Sequence, residues 1–333
     1  MSLRNDVFEI PRLLQRFLDA GLKQAENVIR ERRLGEGPIF VVREDAFEGA
    51  AAIATYAFES LLGRPALVRA ASAFGEYTIR CVVPTSAVLA VSRLGQSDEV
   101  LRAATLARAR GAALWAVTAA DESPLAKLAH AVIPVFLDEE CSNNPAWVVG
   151  ASAAMIALPM VASRILRRLT PEEKKLQEEF FRLPRLMEDM LTRVQGAARS
   201  LGGELASLPE LVVSGAGFYH SVALQAAKEL RAGGILTEAD DLADLLPTRR
   251  KEGAHSRGTL LISGSDCLLK RRVHEVARRA RLAGEDLFAI TDSNDQKLSA
   301  RSRLALLLPP LQEPSGALLA LSAIEEIVAL FER

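Results

Sequence analysis

The sequence is short of the residues that build metal centres and disulfide frameworks. It has 3 cysteines (Cys81, Cys141 and Cys267) and 4 histidines (His130, His220, His255 and His274) in 333 residues. An odd number of cysteines without a Cys-x-x-Cys spacing argues against a disulfide scaffold and a zinc ribbon, and fits a reducing cytoplasm. The histidines are scattered singly, so neither a metal site nor a cofactor is expected. Charge of one sign is also lacking. A formal net charge of −1 predicts no pull toward nucleic acid or an anionic membrane. The two short basic runs, Arg249-Arg250-Lys251 and Lys270-Arg271-Arg272, read as solvated faces. The first residues carry Arg4, Asp6 and Glu9 and no apolar segment of the kind a signal peptide needs. The longest apolar run, residues 146–162, is shorter than the roughly 20 residues that span a bilayer and contains Pro159. It reads as a helix buried in a core or an interface.

What is present is a repeat. A chain of 333 residues is about two domains at roughly 100–200 residues each. Residues 87–135 and 258–308 read alike about 170 residues apart. Each segment opens on a short apolar run ending at a serine (Val88 to Ser92; Leu260 to Ser263), the length and bounding of a buried parallel strand. A polar glycine-containing turn follows, then an amphipathic helix (98–110; 268–282) closed by Gly111 or Gly284. A second strand ends at Thr118 or Thr291, and a short helix leads to a third strand (131–135; 304–308). Each half has an earlier strand and helix as well, at 39–42 with 47–62 and at 211–214 with 221–232.

This order predicts βαβ crossovers and therefore parallel sheets covered on both faces. The expected fold class is α/β, with two doubly wound, flavodoxin-like domains. A charged helix over 171–205 reads as the connector, with Pro184 placed to kink it. The expected division is 1–168, 169–205 and 206–333, with a final helix at 315–331.

One loop carries chemistry by its residues alone. Ser92-Arg93-Leu94-Gly95-Gln96-Ser97 ends a strand and feeds a helix, which gathers unpaired N–H groups and the positive end of a helix dipole around one volume. Ser92 and Ser97 add hydroxyl donors, Gly95 permits close backbone approach, and Arg93 can make a bidentate contact to an anion. The plainer reading is that Ser97 simply caps the helix.

These features together resemble the tandem sugar isomerase (SIS) domain family, whose members include the isomerase half of glucosamine-6-phosphate synthase and two-domain phosphosugar isomerases and deglycases. The resemblance rests on Phe8-Glu9-Ile10-Pro11 as the opening, on Val91 to Ser97 as the phosphate loop with Leu106 to Gly111 behind it, and on Val213-Ser214-Gly215-Ala216-Gly217 as the second-domain entry. It implies a cytoplasmic homodimer that holds a sugar phosphate or a similar small anion, with Ser92, Arg93, Gly95, Gln96 and Ser97 on the phosphate. It also implies that Arg43, Glu140 and His220 face the cleft.

The departures from that pattern fall where the family does its chemistry. A Gly-Thr-Ser turn is replaced by Arg43-Glu44-Asp45-Ala46-Phe47-Glu48, so carboxylates stand where hydroxyls are usual, and Leu94 stands where a second serine is usual. The catalytic base position reads Ala232. Glu229 lies one turn away, an offset of about 4–5 Å along a straight helix. The ring-opening histidine falls on Pro247 in the stretch from Asp244 to Arg249, with His255 downstream. A lysine seven residues after a glutamate matches Trp147 after Glu140, and the chain ends at Arg333 without the lysine-bearing tail. The start offers no N-terminal cysteine nucleophile, so glutamine-dependent synthesis by this chain alone is not expected. Glu229, Asp244 and His255 are the remaining catalytic candidates. The expected function is phosphosugar binding, with aldose–ketose isomerisation, deamination or deglycation on relocated residues. The alternative is a noncatalytic sugar-phosphate sensor or a structural dimer.

Overall fold

The computed structural model describes residues 3–32, 36–44, 47–137, 144–242, 245 and 257–331. The chain divides into two compact units, Arg12–Phe181 and Met1–Pro11 together with Arg182–Arg333.

After helix α1 (Leu3–Arg16), a π-helical turn and α2 (Leu22–Arg32), the N-terminal unit runs β1 (Ile39–Arg43), α3 (Glu48–Leu62), β2 (Ala66–Ala70) and α4 (Ala71–Glu76). It continues with β3 (Ala87–Val91), α5 (Asp98–Ala109), β4 (Ala113–Thr118), α6 (Pro124–Leu128), β5 (Ala131–Pro134) and α7 (Asn144–Leu166). Its five strands are all parallel, in the order β2-β1-β3-β4-β5. Every residue of β1 and β3 is buried. That is why these segments read as unbroken apolar runs, since a parallel strand is covered on both faces. Phe40, Val42, Val88, Ala90, Leu114 and Ala116 share one face with Phe74 of α4 and with Val100, Ala103, Ala104 and Ala107 of α5. Phe40 and Phe74 meet edge to face, with ring centroids 5.9 Å apart. Helices α3 and α7 pack on each other, α3 also meets β1, and α7 also meets β4. The buried alanines Ala50, Ala51, Ala54 and Ala57 of α3 leave little side chain to hold neighbours away.

Helix α7 is longer than its apolar run, and residues 145–166 are long and apolar enough to cross a membrane by composition alone. It is 94% buried over its most apolar window, as a core helix is.

Helix α8 (Pro171–Ala206) contains Pro184, and the division between the two units falls within it. It starts on a reciprocal capping box. The Thr170 N–H donates to Glu173 at 2.8 Å, and the Glu173 N–H donates to the Thr170 hydroxyl at 3.2 Å.

The C-terminal unit repeats the pattern with β6 (Glu210–Gly215), α9 (Phe218–Ala232), β7 (Thr237–Asp241), β8 (Arg257–Ile262) and α10 (Lys270–Ala283). It closes with β9 (Asp286–Asp292), α11 (Gln296–Ser299), β10 (Leu304–Leu308) and α12 (Glu313–Val328). The parallel order is β7-β6-β8-β9-β10, the same as in the first sheet. The edge strands β2 and β7 went unread in the sequence. Thr237-Glu238-Ala239-Asp240-Asp241 is half exposed and acidic, as an edge tolerates, and carries no apolar run.

Candidate functional site

In a sheet of this order, the chain leaves the first strand toward one edge and returns to the other side of it. The carboxyl ends of the first and third strands therefore flank a crevice, the usual ligand position in open α/β sheets. In the N-terminal unit those ends are Arg43 and Val91, paired in register. The loop from Ser92 to Ser97 follows directly.

Backbone bonds hold the loop in shape. The Arg93 carbonyl accepts from the Thr118 hydroxyl and from the Ala119 N–H, both at 3.0 Å, and the Gly95 carbonyl accepts from the Leu125 N–H at 3.1 Å. Gly95 has φ 61°, and a Cβ there would run into the Ser123 side chain. Glycine is required at this position on both counts. Ser97 is the N-cap of α5, its hydroxyl accepting from the Val100 N–H at 3.5 Å. The other N–H groups of the first turn have no intrahelical partner by the geometry of a helix start. Gln96 is exposed, Ser97 and Arg93 are half-buried, and Leu94 is 52% exposed.

Glu44 meets the loop from the end of β1. The Ser92 hydroxyl donates to Glu44 Oε1 and accepts from the Gly95 N–H at 3.1 Å, so its one proton is committed within the protein. Arg43 is buried and directs Nη2 to Glu48 Oε1 at 3.0 Å and Nη1 to the Glu44 carbonyl at 3.3 Å. The structure thus brings Arg43, Glu44, Glu48, Ser92, Gly95 and Ser97 to one sheet end. Asp45, also expected there, lies outside the described residues, as do Glu140, Asp244 and His255.

The matching place in the C-terminal unit is filled from within. Gly217, at φ 59°, precedes α9, and the Phe218 N–H donates to Glu313 Oε1 at 3.2 Å. The Leu268 N–H donates to Glu313 Oε2, also at 3.2 Å. A Cβ on Gly217 would run into that carboxylate. Burial raises the pKa of Glu313 against the lowering effect of the two amide bonds, with Asp266 adding to the rise. The neighbouring Cys267 thiol is pushed up to about 11, chiefly by burial and then by Glu313. Glu313 was missed in the sequence because its partners lie 95 and 45 residues away.

The remaining candidates are separated from this place. His220 is half-buried in the first turn of α9, its Nδ1 buried without a hydrogen bond among the described residues. Glu229 lies about 14 Å further along the same helix, at about 1.5 Å per residue. It accepts from Gln225 Nε2 at 2.6 Å and shares a hydrogen bond with Glu325. Trp147, where the family pattern has lysine, is fully buried against Phe47. His130 is structural, its Nδ1 accepting from the Leu114 N–H at 2.9 Å. His274 lies in α10. It is 16% exposed, with Nε2 at 2.8 and 3.0 Å from the two carboxylate oxygens of Asp295.

Two parallel sheets, each with a strand-to-helix crevice at its switch point, define a doubly wound α/β protein. Residues 46–164, within the N-terminal unit, match the SIS domain family. The chain is 28% identical over 181 residues to glutamine–fructose-6-phosphate aminotransferase (isomerizing) of Agrobacterium fabrum, covering 54% of this chain and 30% of that one. It is 23% identical over 288 residues to the protein of the same name from Caulobacter vibrioides, covering 84% of this chain and 46% of that one. The chain thus spans less than half the length of these curated relatives. Its fold is shared with the C-terminal domain of glucosamine-fructose-6-phosphate aminotransferase from Francisella tularensis, at a TM-score of 0.83 and 15% identity over 99% of this chain and 95% of that one. It is also shared with tagatose-6-phosphate ketose/aldose isomerase from Escherichia coli, at a TM-score of 0.76 and 14% identity over 99% and 92%.

Proposed function

We propose that the protein binds a sugar phosphate at the carboxyl ends of β1 and β3, with the phosphate on the first turn of α5. The observation that carries this reading is the loop from Ser92 to Ser97, pinned by Thr118, Ala119 and Leu125 so that the α5 amides and the Ser97 hydroxyl converge on the crevice. The names of the relatives support it, since they act on fructose 6-phosphate and tagatose 6-phosphate. Gln96 and Arg93 are placed to add contacts. Glu44 opposes them, because its carboxylate holds Ser92 and repels a dianion.

Binding without the family's usual proton transfer is the first reading. Glu229, a remaining carboxylate candidate, is 8% exposed and committed to Gln225 and Glu325. Isomerisation is the second reading, favoured by the likeness to isomerizing enzymes, and of the catalytic candidates it would draw on Asp244 or His255. The proposal includes a cytoplasmic homodimer without nucleic-acid or membrane partners, with α8 as the connector between domains at 1–168 and 206–333. Near-zero net charge supports the lack of nucleic-acid and membrane partners, and two free thiols among the described residues support the location.

A thermal-shift series with the 6-phosphates of fructose, glucosamine, galactosamine and fructosamine tests the binding, because a ligand of the folded state raises the midpoint. At least one of the four stabilises the protein, and Ser92→Ala with Ser97→Ala abolishes the shift. A shift that survives the double substitution places the ligand elsewhere. Proton exchange at C1 or C2 of the stabilising sugar in deuterated water decides between the readings, since its appearance establishes turnover and its absence leaves binding.

A further inference from the structure

The proposed phosphate position already holds a negative charge. Arg43 and Val91 pair in register at the ends of β1 and β3, so Glu44 and Ser92 are the next residues on either side of the crevice. Glu44 is half-buried there. A carboxylate is thus part of the crevice itself.

The hydrogen bonds fix what Ser92 can offer a ligand. Its oxygen accepts from the Gly95 N–H at 3.1 Å, and its single proton goes to Glu44 Oε1. A phosphate arriving beside Ser92 meets an acceptor in place of a donor. Glu44 Oε2 forms no hydrogen bond with another described residue, so it is a second acceptor at the same place.

The neighbouring charges do not reverse this. Arg43 directs Nη2 to Glu48 Oε1 at 3.0 Å and Nη1 to the Glu44 carbonyl oxygen at 3.3 Å. Around them stand Glu48 in the first turn of α3, Arg93 on the loop, and Asp98 and Glu99 in the first turn of α5. Counted with Glu44, carboxylates outnumber guanidinium groups among the described residues at this end of the sheet. A dianionic phosphate adds charge of the sign already in excess. Two anions forced into one site relieve the repulsion by sharing a proton, as paired carboxyl groups do. A phosphate monoester suits this, because its second ionisation lies at about pH 6, close to neutrality.

We propose that the site binds its sugar phosphate together with one proton, held between Glu44 and a phosphate oxygen. The inference rests on the sugar-phosphate reading of the loop from Ser92 to Ser97. The proton comes from solvent on binding and returns to it on release, and no other bond is made or broken. Shared in this way, it turns a repulsion into a charge-assisted hydrogen bond. Affinity is therefore coupled to pH, highest where the phosphate monoanion is abundant and lower as pH rises above its second ionisation.

Titration calorimetry of the full chain with fructose 6-phosphate and with tagatose 6-phosphate, in buffers of different ionisation enthalpy, counts the protons taken up. At pH 7.5 wild type is expected to take up about one proton per ligand bound, and its affinity to fall about tenfold per pH unit from pH 7 to pH 8. Glu44→Gln should bind with almost no uptake, and with an affinity that changes less than about threefold over the same range. The wild-type measurement stands alone should the variant fail to fold. Wild-type binding without proton uptake, or uptake that persists in Glu44→Gln, overturns the proposal and leaves the sugar-phosphate reading intact. No binding of either sugar overturns both.

Discussion

In the proposed site, Glu44 is the residue on which ligand affinity would turn. Its carboxylate accepts the Ser92 hydroxyl at the edge of the proposed phosphate position, and a charge there disfavours a dianion by about 1 kcal/mol or more even at water-like screening. Glu44→Gln keeps an acceptor for Ser92 and removes the charge. Its dissociation constant for the stabilising sugar phosphate should fall at least about fivefold by calorimetry; unchanged affinity would place the phosphate away from Ser92. The pair Glu325 and Glu229 poses a different electrostatic problem. Complete burial, and then the neighbouring Glu229 carboxyl, raise the pKa of Glu325 well above the ordinary carboxylate range. Between the unfolded value, about 4.3, and that raised value, the folded state binds more protons than the unfolded chain. The stability this group contributes is therefore full at acidic pH and is lost as pH rises through the folded value. Glu325→Gln has no charge to bury, so its urea-unfolding stability relative to wild type should climb steadily from pH 5 to pH 8. A difference that is flat with pH contradicts this.

At the scale of elements, apolar runs bounded by glycine or polar turns were enough to find the central strands and the edge strands β5 and β10. β10 falls at 304–308 as read, and α5 begins at Asp98 as read. The edge strands β2 and β7 were hidden because their exposed positions break the apolar run that marks their neighbours. Helix α7 outgrew its reading because Asn144, Pro145 and the turn after Ala162 carry no stop signal. Its anchor is Trp147, fully buried and edge to face with Phe47 at 5.5 Å. Trp147→Ala should cost about 3–5 kcal/mol, read as a fall in the denaturation midpoint. The indole N–H has no hydrogen-bond partner among the described residues. Trp147→Phe should therefore cost less than half as much, and equal losses would mean that the nitrogen, not the ring, supports the helix.

For the molecule as a whole, the repeat made the architecture legible, and the Ser-x-x-Gly-x-Ser spacing made one half of the site legible. The other half was not, because it depends on partners far apart in sequence. Glu44 meets Ser92 across 48 residues, and Glu313 meets Phe218 across 95. No local pattern signals either contact. The consequence is an asymmetric pair, in which Glu313 takes the Phe218 and Leu268 amides at the switch point of one unit while the α5 start of the other is capped by Ser97. The chain should therefore bind one sugar phosphate per copy at a switch point. A crystal structure with the sugar 6-phosphate that stabilises the protein most tests this directly. The account predicts one phosphate in hydrogen-bond reach of the Ser97 hydroxyl and the first α5 amides, and none at Gly217. A phosphate beside Gly217 with Glu313 displaced, or an empty Ser97 cradle under saturating ligand, would contradict it.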